Sequence, residues 1–284
     1  LNKLHVLGSA INTIARLSPK LAGNIAVRLF IRPRRISAKT SEQECLNQAE
    51  LLTIDVGHSL VGYRWKVEEG SQQKVLLIHG WESHSGRWQP LVQRLLKKGM
   101  EVIAFDGPAA GKSGGKETPF NFYIDCLQQV ELHHGPFDAV IGHSLGGGAA
   151  VQLCARLDTE RRPSRAVIMA AFDESNHVFD RYHRMLNLSD RVRNAFDKHI
   201  TELINVGQDE ELAIGDFSNV AAAKTISNTE ALIIHSTDDA VCPCHEGVAI
   251  HEAWPNAELA TFKDEGHRLQ GEHVLDKIVQ FLER

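Results

Sequence analysis

Ser144 sits two residues from a glycine on either side, in Gly142-His143-Ser144-Leu145-Gly146, directly after a short apolar run. Glycine weakens strands and helices alike, so a chain needing only a stable core gains nothing from Gly142, Gly146, Gly147 and Gly148 so close together. The pattern G-x-S-x-G makes sense as a sharp strand-to-helix turn whose flanking positions have no room for a side chain. The serine hydroxyl is then left exposed at a helix N-terminus, which makes Ser144 a candidate nucleophile. A serine alkoxide is hard to form near neutral pH, so the chemistry needs a base, normally a histidine, and a carboxylate to orient it.

Fifteen histidines are available, and position in the chain separates them. In "FKDEGHRLQGEH" (262–273), His267 falls on a loop between the last strand-like run and the C-terminal helical pattern, whereas His273 lies in or near that helix. His143, adjacent to the serine, is expected to point the other way on a tight turn and to act as a packing residue. The stretch "ALIIHSTDDAVCP" (231–243) ends an apolar run and offers both Asp238 and Asp239 on the following loop. The candidates therefore occur in the order serine, aspartate, histidine.

These residues need elements to bring them together. The runs "KVLLIHG" (74–80), "MEVIAFDG" (100–107), "DAVIGHS" (138–144), "RAVIMAA" (165–171) and "ALIIHS" (231–236) are short and continuously apolar, as strands covered on both faces are. "SLVGYRWKV" (59–67) alternates like a half-exposed strand, and "AELATFK" (257–263) is a weaker edge strand. Helical patterns lie between them at 87–99, 120–134, 145–157 and 273–284. Strands alternating with helices predict an α/β fold with a mostly parallel, doubly wound sheet. From Phe172 to Asn228 a long interval interrupts this rhythm, with Phe179, Tyr182, Met185, Leu186 and Phe196 interspersed. The chain thus divides into an N-terminal helical preface (1–50), a core in two stretches (51–171 and 229–284) and an inserted helical cap (172–228) whose apolar side chains would face Ser144.

Composition excludes several classes. The chain has 284 residues, 43% of them hydrophobic, and a net charge of −5, which argues against a protein built around nucleic acid. Five irregularly spaced cysteines do not suggest a disulfide framework, and "VCPCH" (241–245) lacks the second pair that a zinc site would need. Neither a metal nor a cofactor is expected. "GPAAGKSGG" (107–115) is one residue short of a phosphate-binding loop. No run of 18 apolar residues suggests a membrane span, the first residues lack a signal peptide's apolar run, and a cytoplasmic location is expected. The chain opens on Leu1 rather than Met, which leaves room for a preceding segment. Residues 1–41 hold eight Lys or Arg and no acid, and Ile14, Leu17, Leu21, Ile25 and Leu29 recur at helical spacing. That segment reads as helices docked on the domain or as a basic surface for peripheral contact with anionic lipid or a partner.

Four stretches together resemble the α/β-hydrolase-fold serine hydrolases: "LLIHGW" (76–81), "AFDGPAAGKSGG" (104–115), "IGHSLGG" (141–147), and "HSTDDAVCP" (235–243) with "DEGH" (264–267). The resemblance covers about residues 58–284 and implies a Ser144–His267–Asp239 triad. Asp239 is selected over Asp238 because the family's loop runs aspartate, three residues, proline, ending here at Pro243. It also implies an oxyanion hole from the backbone N–H groups of Trp81 and Leu145. The chain departs from the family at Ala109-Ala110-Gly111, where Gly-His-Gly is common, and at Ser236, where glycine is common. The implied activity is hydrolysis of an ester-type bond in a small acyl substrate through an acyl-enzyme. The same triad also serves thioesterases and acyltransferases, and the fold has catalytically silent binding members. Substrate, acyl length and oligomeric state are not legible.

Overall fold

The computed structural model describes residues 3–67, 73–205 and 217–284. Residues 206–216 of the expected insertion, like the first two of the preface, lie outside the described residues. The chain divides into two compact units, one of Leu1–Pro33 with Glu174–Ser218 and one of Arg34–Asp173 with Asn219–Arg284.

The first unit is helical, built from α1 (Lys3–Leu17), α2 (Pro19–Ile31), α7 (Ser175–Leu186) and α8 (Asp190–Ile204). Ser18 caps α2, its hydroxyl accepting from the Leu21 N–H at 3.3 Å, and Pro19 supplies a pre-set φ at the first position. Small residues let α2 lie close to α8: a side chain at Gly23 would come within 2.7 Å of the Ala195 backbone. Phe30 packs edge-on against Phe179, Tyr182 and Phe196 at centroid distances of 5.4, 4.9 and 5.6 Å. Tyr182 and Phe196 are buried in this unit's own core.

The expected boundary of the preface at residue 50 falls instead at Pro33. The reason is that α3 (Thr40–Asn47) and β1 (Glu50–Asp55) belong to the second unit: β1 pairs antiparallel with β2 (Ser59–Trp65), and the Trp65 indole donates to the Cys45 carbonyl at 3.0 Å.

The second unit is organised by an eight-stranded sheet in the order β1-β2-β4-β3-β5-β6-β7-β8. Its remaining strands are β3 (Gln73–Ile78), β4 (Met100–Phe105), β5 (Ala139–His143), β6 (Arg165–Met169), β7 (Glu230–Ser236) and β8 (Ala257–Phe262). All pairings from β4 to β8 are parallel. Alternate residues feed two cores: Leu77, Ile141 and Ile234 join the cluster of α4 (Gln89–Lys97) and α11 (Glu272–Leu282), while α6 (Leu145–Arg156) covers the opposite face. Burial on both faces is why these strands read as unbroken apolar runs. The helices α5 (Phe120–His134), α9 (Asn219–Lys224) and α10 (Cys244–Ala253) complete the unit.

The strand order locates a site before any side chain is considered. From β3 the chain moves to one neighbour, β4, and then returns to β3's other side as β5. Ligands in open α/β sheets bind at such a switch point, beyond the carboxyl ends of the strands. Backbone strain gathers in the loops that follow those ends: Glu82, Ala109, Ser144, Ala170 and Asp264 all have positive φ without being glycine.

Candidate active site

Ser144 lies between β5 and α6 with φ 56° and ψ −122°, a conformation that L-residues adopt at a cost. The turn is held by the Ser144 N–H, which donates to the Met169 carbonyl of β6 at 2.8 Å. A side chain at Gly142 would overlap the Gly146 carbonyl, and one at Gly146 would overlap the carbonyls of Ile78 and His79. These overlaps account for the glycines. A side chain at Gly80 would come within 2.9 Å of Ser144 Cβ, so the loop after β3 also passes close to the serine. Gly147 and Gly148 donate to the Ser144 carbonyl at 2.9 and 3.0 Å. Leu145 is the first residue of α6, and its N–H is among the first-turn donors that a helix cannot satisfy internally.

His267 sits in the short helical turn Gly266–Arg268 beyond β8, and Asp239 follows β7. His267 Nε2 is 2.9 Å from Ser144 Oγ, and His267 Nδ1 is 2.8 Å from Asp239 Oδ2. Asp239 Oδ1 meanwhile accepts from the Val241 and Cys242 N–H groups at 2.8 and 3.0 Å. Burial is the largest influence on this carboxyl and opposes its charge. The His267 hydrogen bond and charge, with the two backbone donors, outweigh it and hold the group below the usual aspartate range. An ionised carboxylate can only accept, so Nδ1 carries the imidazole proton and Nε2 presents its lone pair to Ser144. That arrangement can take a proton from the hydroxyl as the oxygen attacks.

Asp238 takes a different place. It accepts from the Ser236 hydroxyl at 2.5 Å and from the Asp264 N–H at 3.0 Å, tying the loop after β7 to the loop after β8. Ser236, where the resemblance leads one to expect glycine, anchors this tie.

The alpha/beta hydrolase family model matches residues 75–281. The chain belongs to that family. It is 26% identical over 269 residues to the lysophosphatidylserine lipase ABHD12 of Gallus gallus, covering 85% of this chain and 68% of that one. A non-heme haloperoxidase of Rhodococcus erythropolis is 32% identical over a shorter stretch of 105 residues, 36% of this chain and 38% of that one. Among solved structures, an esterase of Pyrococcus furiosus superposes with a TM-score of 0.64 at 21% identity, covering 89% of this chain and 97% of that one.

In this hydrolase the residue beside the serine has a contact that the sequence does not reveal. His143 is buried, but it does not point away from the site: its Nε2 lies 2.6 Å from the His267 carbonyl and its ring centroid 5.0 Å from that of His267. Burial, first among the causes, pushes its pKa well below the ordinary histidine value, so at neutral pH it is uncharged and donates Nε2–H to that carbonyl. His235, also buried, lies 3.6 Å from Asp239 Oδ2 and 2.7 Å from the Cys242 carbonyl, and burial likewise lowers its pKa. Its contacts make it a support for the Asp239 loop rather than a rival base.

Lowered histidines set an acid limit on stability. A histidine whose pKa is lower folded than unfolded contributes stability above its unfolded value, near 6.5, and loses it as pH falls toward the folded value. His79, His143 and His235 all shift in this direction. Unfolding free energy is therefore expected to decline below about pH 6.5 by up to about 1.4 kcal/mol per pH unit for each such histidine. Denaturant melts from pH 8 to 5 measure this, and His143→Asn should reduce the slope. An unchanged slope would remove His143 from this account.

The loop carrying Trp81 is fixed by a second polar cluster. The Gly107 N–H donates to His79 Nε2 at 2.8 Å, so Nδ1 bears the proton and donates to the Gly80 carbonyl at 2.8 Å. Asp106 accepts from the N–H groups of Ser85 and Lys112 at 2.7 and 2.8 Å. The Ser113 hydroxyl donates to the Asp106 carbonyl at 2.6 Å and accepts from the Val61 N–H at 2.8 Å. The glycine-rich stretch 107–115 therefore folds onto Asp106 and does not form an open phosphate cradle. Trp81 itself is half-exposed in the turn after β3, one residue beyond Gly80.

Among the described residues, no helix is long and apolar enough to cross a membrane.

Proposed function

We propose that this chain is a serine hydrolase that cleaves the ester bond of an acyl substrate through an acyl-enzyme. The observation that carries the reading is the unbroken chain from Ser144 Oγ through His267 to Asp239, at 2.9 and 2.8 Å. Ser144 attacks the acyl carbon while His267 Nε2 takes its proton. The imidazolium then gives that proton to the departing alkoxide, and the acyl group remains on Ser144. Water, deprotonated by the same nitrogen, attacks the acyl carbon, and the acid leaves as Ser144 recovers its proton. Asp239 holds the ring and stabilises its charge. The N–H groups of Leu145 and Trp81 are assigned to the oxyanion, a contribution of about 3 kcal/mol for each well-placed donor.

The relatives support acyl esters of lipid type, since one is named a lysophosphatidylserine lipase and a structural neighbour an esterase. The test has two parts. A fluorophosphonate probe should label the wild-type chain at Ser144, located by peptide mass spectrometry. A panel of p-nitrophenyl esters of rising chain length, lysophospholipids and acyl-CoA thioesters should then show turnover of esters above thioesters. An unlabelled Ser144 would overturn the serine mechanism, and faster turnover of thioesters would reassign the substrate class.

A further inference from the structure

Helices α1 and α2 bury mostly small residues, with Ile11, Val27 and Ile31, and leave several leucines outward. On α1 the buried stripe is Gly8, Ile11 and Ala15; on α2 it is Ala22, Gly23, Ala26, Val27 and Ile31. Soluble amphipathic helices ordinarily bury their leucines. Here Val6 and Leu17, eleven residues apart and so on one side of α1, are 52% and 93% exposed. On α2, Leu21 and Leu29 lie at i and i+8, 53% and 42% exposed. Leu17 ends one helix and Leu21 lies in the first turn of the next, so the two stripes meet at the Ser18 corner.

Charge indicates the occupant of this surface. The first acid of the sequence is Glu42, and Lys3, Arg16, Lys20 and Arg28 are all exposed on these two helices. Arg16 and Lys20 flank the paired leucines of the corner. Leucines bordered by long basic side chains match a membrane interface, where the ammonium and guanidinium groups meet anionic headgroups and the leucines enter the acyl boundary.

We propose that the α1–α2 face docks on an anionic lipid surface, with Leu17 and Leu21 entering the bilayer interface and Arg16, Lys20 and Arg28 binding headgroups. This inference does not depend on ester cleavage, because its test reads binding alone.

The full chain is sedimented with vesicles of phosphatidylcholine alone or with one-third phosphatidylserine, at low salt. The wild-type chain should partition onto the phosphatidylserine vesicles and only weakly onto the neutral ones. Arg16→Gln with Lys20→Gln should weaken that partition about thirtyfold. Leu17→Ser with Leu21→Ser should weaken it at least tenfold. Far-UV circular dichroism and melting temperature check that the variants fold. Should either pair fail that check, Arg28→Gln with Leu29→Ser probes the same face elsewhere. A wild-type chain that ignores anionic vesicles, folded variants that bind as it does, or self-association through this face in size-exclusion would overturn the proposal.

Discussion

Ser144→Ala is expected to lower kcat for ester hydrolysis by about five to six orders of magnitude, to the level that binding and oxyanion donors sustain without a nucleophile. The loss should fall on kcat, with substrate binding largely retained, because the substitution removes one oxygen and nothing that lines a pocket. Folding should be preserved. Alanine has the same Cβ that serine already fits into this turn, and the Ser144 N–H bond to Met169 is a backbone contact. Melting temperature and fluorophosphonate labelling complete the measurement: the variant should melt like the wild type and take up no label. Wild-type turnover by a well-folded variant would end the serine-hydrolase reading.

Some of this arrangement is legible in the sequence because it is written in local patterns. The continuous apolar runs of β3 to β7 follow from burial on both faces. The glycines around Ser144 follow from backbone crowding within a few residues. Contacts made across the fold leave no such mark. Nothing local announces that His143 reaches the His267 carbonyl, 124 residues away. The serine at 236 reads as a departure from the family pattern, and only its bond to Asp238 explains it. β1 escapes detection because an edge strand with Leu52 and Ile54 as its inward pair is too short a signal. In the sequence the preface ends at residue 50, where the reading of the core begins, and no local pattern marks a boundary before it. The actual boundary at Pro33 follows packing, in which alanines and glycines of α1 and α2 close against neighbouring helices.

The sharpest test of the site separates two neighbouring carboxylates. Asp239→Asn should lower kcat/KM by about three to four orders of magnitude while preserving the fold. An amide at that position can donate its N–H to His267 Nδ1, which stabilises the tautomer protonated on Nε2. That tautomer cannot accept the proton of Ser144. The two backbone bonds from Val241 and Cys242 end on Oδ1, which the asparagine oxygen can replace, so the loop keeps its shape. Asp238→Asn should behave differently. Its oxygen can still accept from Ser236 and from the Asp264 N–H, and neither bond touches the imidazole. Its cost should stay within about tenfold, expressed through looser placement of the loop that carries His267. Burial supports the same ranking, since Asp239 is buried and Asp238 exposed. Steady-state kinetics on both variants, with melting curves beside them, decide the matter. If Asp238→Asn were the crippling change and Asp239→Asn the mild one, the acid that orients His267 would have been assigned one residue too late in the loop.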